Sequence, residues 1–175
     1  MEIVQAKLER DILHMISVTG LNHAVLYVRE LERSLNFYKS VFGFEEVTRL
    51  HGKMGFLRAA GSSNHHDLGL IELGANAPSP PPGTIGLYHL AWEVKTIEDL
   101  ATAAQVLKDN GYFRGASDHG ASKSIYAQDP DGNEFEILWR VPREDWGEFE
   151  HKAIVEPLKL EQEIERYGDR TQSTV

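Results

Sequence analysis

The sequence predicts an α+β fold built from two copies of one unit, each a strand, a helix and three further strands. Three observations carry that prediction. Two stretches of helical periodicity each follow a short apolar, β-branched run; three strand-like runs follow each helix; and a proline-rich segment separates the two sets.

The elements follow in order. Residues 1–18 space Ile3, Val4, Leu8, Ile12 and Leu13 at helical intervals and predict an N-terminal helix. The first unit spans about 19–74. It opens on G-L-N-H-A-V-L-Y-V, residues 20–28, as a strand. The next stretch puts Leu31, Leu35, Tyr38 and Phe42 on one helical face, with Gly43 as the stop. Strand-like runs occupy 44–51, 53–59 and 66–73. Residues 75–84 are a linker, because the prolines of A-N-A-P-S-P-P-P-G cannot donate to a sheet ladder and break any helix. The second unit, about 85–140, repeats the order. G-L-Y-H-L-A-W-E-V, residues 86–94, is a strand. A helix follows with Thr96 as N-cap, Asp99 three residues later and Gly111 just past its end. Strands then lie near 112–116, 123–128 and 134–139, with D-P-D-G as the turn before the last. Residues 141–175 form an extension, with a helix over about 156–167 and a polar tail that predicts disorder. Trp139 and Trp146 predict packing between the last strand and this extension.

Composition narrows the function. Eighteen basic residues against 27 acidic ones leave a net charge of −9, so nothing draws this chain to nucleic acid or to an anionic membrane. No apolar run is long enough for a membrane span, and the charged N-terminus lacks a signal core, which predicts a cytoplasmic protein. The absence of cysteine excludes disulfides, thiolate metal sites and cysteine nucleophiles, so any metal must be held by imidazole and carboxylate.

Histidines repeat with the fold. L-N-H-A-V-L-Y-V and L-Y-H-L-A-W-E-V place His23 and His89 third in each opening run, and L-I-E-L and F-E-I-L place Glu72 and Glu136 in the closing strands. Either histidine alone reads more readily as an ordinary core or surface residue. Placed symmetrically in two repeats, they can meet on a shared axis with Glu136 supplying an oxygen. Glu134 lies on the same strand face by alternation and is the competing carboxylate; Glu136 is preferred for its repeat match to Glu72. Two imidazoles and one carboxylate with open positions suit Fe(II), and also Mn(II).

At this level the chain resembles the vicinal oxygen chelate superfamily, which includes glyoxalase I, extradiol ring-cleaving dioxygenases and bleomycin-resistance proteins. The resemblance covers about residues 19–140. It is tightest in G-L-Y-H-L-A-W-E-V, G-A-S-D-H-G-A-S-K-S-I-Y-A-Q-D-P-D-G-N-E-F-E-I-L and R-V-P-R-E-D-W, which are similar to the catechol 2,3-dioxygenase-like branch. It implies paired βαβββ modules forming an eight-stranded open barrel or cup, with metal ligands His23, His89 and Glu136. It also implies Fe(II), with Mn(II), Zn(II) or Ni(II) as substitutes. H-H-D-L-G-L resembles the extradiol segment whose histidine is an acid/base, which implies that role for His66. Tyr126 takes the place of a tyrosine that hydrogen-bonds the substrate oxygen, and His119 that of another pocket histidine. Trp92, Phe56, Leu57 and Ile125 are candidate pocket walls, though each reads more readily as plain core.

The expected activity is therefore ring cleavage of a small catechol-type aromatic with O₂, in a homodimer. Two alternatives stay open. Glu72 fits the fourth ligand position of a glyoxalase- or epimerase-like lyase or isomerase, and the same cup also serves non-catalytic aromatic- or drug-binding proteins.

Overall fold

The computed structural model describes residues 16–168. The proposed N-terminal helix and the polar tail lie outside them, apart from residues 16–18, which form no regular secondary structure. The first unit is β1 (Ala24–Val28), α1 (Leu31–Phe42), β2 (Glu45–Leu50), β3 (Met54–Arg58) and β4 (Leu68–Glu72). The second is β5 (Leu90–Val94), α2 (Ile97–Asp109), β6 (Phe113–Asp118), β7 (Ser122–Gln128) and β8 (Glu134–Arg140). Each sheet has the same order, β1-β4-β3-β2 and β5-β8-β7-β6, and each opening strand pairs in parallel with the closing one. The sheets do not close on one another, so the expected barrel is an open cup.

Two details differ from expectation. His23 and His89 stand one residue before their strands rather than within them. A ninth strand, β9 (Glu156–Pro157), occupies the start of the expected last helix, and α3 runs only over Leu160–Tyr167. β9 adds to the free edge of β6, through Ser117 with Pro157 and Asp118 with Glu156.

The two helices begin by different means. α2 starts with a local capping box: Asp99 N–H donates to Thr96 Oγ1 at 3.1 Å, and Thr96 N–H to Asp99 Oδ2 at 3.0 Å. α1 has no local cap. Its first N–H, on Leu31, donates to Glu72 Oε2 at 2.9 Å, and the preceding Arg29 N–H donates to Asp131 Oδ2 of the second unit at 3.1 Å. Carboxylates brought in by the fold thus satisfy the donors that a short-range motif would otherwise meet. At the other end of α1, Gly43 adopts φ +67° and stops the helix as expected.

A continuous apolar core joins the units. Phe37 and Phe42 of α1 meet Phe135 of β8 with ring centroids 6.0 and 4.9 Å apart, and Phe44 packs edge-on to Trp92 of β5 at 5.2 Å. The D-P-D-G turn fastens the same junction. Asp129 accepts from Tyr38 Oη at 3.1 Å, and Asp131 pairs with Arg29 at 3.1 Å and Arg33 at 2.5 Å. Trp139 is fully buried against Tyr167, and Trp146 Nε1 donates to the Val141 carbonyl at 2.7 Å. Both tryptophans therefore pack as expected.

Candidate active site

Strand pleating decides which side chains face the cup. On β1, Val25 and Tyr27 stand 47% and 64% exposed on one face, while Leu26 and Val28 turn toward α1. His23 shares the face of Val25 by alternation. In the second sheet Glu136 lies directly opposite Ala91 of β5 and Tyr126 of β7, so these three share the corresponding face, and His89 joins them by alternation.

In the second unit the side chains converge. His89 Nε2 lies 3.1 Å from Glu136 Oε2. Tyr126 Oη is 3.5 Å from Glu136 Oε1 and 2.7 Å from His119 Nε2. Burial, reinforced by the Glu136 carboxylate, pushes the Tyr126 phenol above its ordinary range, so it stays protonated at neutral pH. His89 Nδ1 is buried without a hydrogen-bond partner among the described residues.

The first unit holds a separate cluster. The His23 ring lies 4.5 Å from that of His66, which also meets Phe56 edge-on at 4.9 Å and shares a 3.0 Å Nδ1–Nδ1 contact with His65. Burial, then the nearby His23 and His65, hold His66 below the ordinary imidazole range against the opposing pull of Asp67. A neutral ring at physiological pH is the form that can take up a proton.

Sequence reasoning missed what orients His23. Its Nδ1 lies 2.8 Å from Asn22 Oδ1, and Asn22 Nδ2 donates to Asn64 Oδ1 at 3.1 Å. Asn64 Nδ2 in turn donates to Asp67 Oδ1 at 2.8 Å. With Nδ1–H given to Asn22, His23 Nε2 is bare and able to bind a cation. The only sequence signal was adjacency: Asn22 precedes His23, and Asp67 follows the histidine pair.

Glu72 is a correction. The parallel registers pair Ala24 with Leu68 and Leu90 with Phe135, so the repeat partner of Glu136 is Gly69, three residues before Glu72. Glu72 faces α1, where it accepts from Leu31 N–H. A Cβ on Gly69 would meet Val25 Cγ2 at 3.2 Å. The cup floor of the first unit therefore offers no carboxylate where the second unit offers Glu136. The match between Glu72 and Glu136 misled because both motifs contain glutamate between apolar residues, and only the strand register separates them. Of the candidate pocket walls, Leu57 and Ile125 are fully buried core; Trp92 packs on Phe42 and Phe44 and also lines a hollow beside His23; and Phe56 meets the His66 ring.

The donor set is imidazole and carboxylate, which suits a divalent ion, and His89 with Glu136 already faces inward as a two-ligand nucleus. Among the described residues no three His, Asp or Glu side chains are gathered closely enough to hold an ion, since His23 is turned to His66. A hollow of about 140 Å³ lined by His23, Asn64, Asp67 and Leu90 joins the two sheets at the starts of β1 and β5. A larger one, about 550 Å³, runs along Val25, Tyr27, Leu87 and Tyr88 and contains none of the site histidines.

A family model for the glyoxalase/bleomycin resistance protein/dioxygenase superfamily matches residues 20–137. The chain belongs to this superfamily. Curated relatives of the superfamily include the catechol-2,3-dioxygenase of Bacillus subtilis (strain 168), 31% identical over 161 residues, which are 90% of this chain and 55% of that protein. The manganese-dependent 2,3-dihydroxybiphenyl 1,2-dioxygenase of Geobacillus genomosp. 3 is 32% identical over 130 residues, 72% of this chain and 38% of that one. This superfamily chain thus spans about half the length of the curated relatives it matches. A lactoylglutathione lyase structure from Agrobacterium tumefaciens shares the fold with a TM-score of 0.54 at 22% identity, covering 71% of this chain and 96% of that one. Among the described residues no helix is long and apolar enough to cross a membrane.

Proposed function

We propose that the chain is an extradiol-type dioxygenase that cleaves a small catechol-type aromatic with O₂, using Fe(II) or Mn(II) held by His23, His89 and Glu136. The observation that carries this reading is the position of Glu72. With Glu72 capping α1 and Gly69 at the register partner of Glu136, the first unit adds no carboxylate opposite Glu136, which supports a three-ligand site. A glyoxalase-like fourth ligand has no side chain to supply it from that strand.

A divalent ion held there would supply adjacent open positions for the two substrate oxygens and O₂, and would help a catechol hydroxyl ionise. The chain's own groups do the rest. His23 would complete the ligand set through Nε2, with its Nδ1–H held by Asn22. That leaves His66, neutral and lined by Phe56, as the group that takes a hydroxyl proton and later returns one. Tyr126 stands beside Glu136, with His119 behind its hydroxyl, and the pair orients the substrate oxygens. Two copies of this chain amount to about one full-length relative, and exposed Val25, Tyr27, Leu87 and Tyr88 give a second copy an apolar face, which supports a homodimer.

The test is metal analysis of anaerobically purified protein with O₂ uptake on a panel of catechols. Iron- or manganese-dependent O₂ consumption with ring-opened product is expected. Turnover of a thiol adduct without O₂ would replace this reading with the lyase one, and tight aromatic binding with no metal dependence would replace it with the binding protein.

A further inference from the structure

The segment after β8 does more than extend the second unit. It folds back over the turn between β6 and β7, and four independent contacts hold it there. Val141 N–H donates to the Ala121 carbonyl at 3.0 Å. The Phe149 ring lies so close over Gly120 that a Cβ there would overlap it, and Gly120 itself has φ +78°. β9 pairs with Ser117 and Asp118. Between Phe149 and β9, the Ile154 carbonyl meets His119 Nδ1 at 3.0 Å.

A backbone carbonyl can only accept, so the contact to Ile154 requires the proton of the neutral His119 ring to sit on Nδ1. Nε2 is then bare. Its neighbour at 2.7 Å is the Tyr126 hydroxyl, which has a single proton to give. Glu136 Oε1 competes for that proton from 3.5 Å, at the far limit of a hydrogen bond, so His119 takes it. We propose that residues 141–157 are a positioning element of the site: the Ile154 carbonyl sets the His119 tautomer, and through it turns the Tyr126 proton away from Glu136, so that Tyr126 presents lone pairs to the cup. Gly120 is required because any side chain would displace Phe149 and carry the Ile154 carbonyl with it.

Tyr126 in this arrangement accepts a hydrogen bond from a bound hydroxyl rather than donating one. That consequence rests on the proposed function; the tautomer does not. The test therefore uses the full chain free of metal, labelled with ¹⁵N-histidine, at about pH 8, above the ordinary imidazole range. Long-range ¹H–¹⁵N correlations report which ring nitrogen of His119 bears the proton. The Nδ1–H form is expected in the unmodified protein and, unchanged, in Tyr126→Phe, because the carbonyl and not the phenol sets it. Phe149→Ala is expected to give a mixture of tautomers, and Phe149→Leu, which refills the space over Gly120, to restore the Nδ1–H form. An Nε2–H ring in the unmodified protein, a switch in Tyr126→Phe, or a pure Nδ1–H ring in Phe149→Ala would each overturn the proposal. If Phe149→Ala does not fold, the first two measurements still decide it. A protein that turns over no catechol but keeps the Nδ1–H ring would sink the proposed function and leave this inference standing.

Discussion

The two halves of the cup repeat the same topology, yet they arrange their polar groups in opposite ways. In the second half His89, Glu136, Tyr126 and His119 form one connected set pointing inward. In the first half His23 is paired with His66, and its carboxylates have turned elsewhere: Glu72 to the start of α1, and Asp67 to the 59–67 loop. The difference teaches that one scaffold can hold two polar layouts. Both halves carry inward rings, but only the second sets a carboxylate against the histidine of its opening strand.

The sharpest way to break that comparison is to remove one ligand from each half. His89→Ala and Glu136→Ala should release the metal and abolish turnover, and His23→Ala should do the same if the halves share one ion. Metal content by mass spectrometry of the folded variants checks it, and full retention in His23→Ala would restrict the site to the second half. Next in size, His66→Ala should keep the metal and catechol binding but slow ring cleavage by about 10²–10⁴-fold, the range of a lost proton-transfer group. Steady-state O₂ uptake reads this, and unchanged kcat would remove His66 from the chemistry.

The junction between the halves gives the next effect. Asp131 is nearly buried between Arg29 and Arg33, and Asp131→Asn should cost about 2–3 kcal/mol of stability, since it leaves the partly buried Arg29 guanidinium without its counter-charge. Burial alone would raise the Asp131 carboxyl, but the Arg29 N–H, the Arg29 guanidinium and Arg33 outweigh it and hold it below the ordinary carboxylate range. A carboxyl depressed in the folded state stabilises fully above its unfolded value, near 3.9, and loses that contribution as pH falls through its folded value. Urea titrations should thus show the lead over Asp131→Asn at neutral pH shrinking below about pH 4; a constant gap would mean the charge is not what matters. The smallest effect is expected at Glu72→Gln. It should cost about 1 kcal/mol by weakening the cap on α1, with metal content and turnover unchanged. Loss of metal in this variant would revive the four-ligand lyase site.

Much of this was legible in the sequence, for physical reasons that vary by residue. Helical spacing, Gly43, and Thr96 with Asp99 are local signals, and the structure uses all of them locally. The symmetric histidines were legible because they sit at the same offset from two similar strands. Glu72 was misread because its partner, Leu31 N–H, lies 41 residues away in sequence and only the β1–β4 register reveals it. The Asn22–Asn64–Asp67 chain was invisible for the same reason: amides and carboxylates in loops carry no periodicity. The two-residue β9 is too short for any pattern, and it exists because β6 offers a free edge.

The turn at Asp129–Asn133 has one more consequence. It clasps α1 through Tyr38 and Arg33 and the residues just before α1 through Arg29, while aromatic rings from both halves interlock beneath it. The covalent connection through the proline-rich linker is then mechanically redundant. Cutting the chain between Pro81 and Gly86, where every residue is exposed, should leave two fragments that stay associated. Expressed separately, they should find one another and rebuild the cup, as the two ends of a buckle close without the strap.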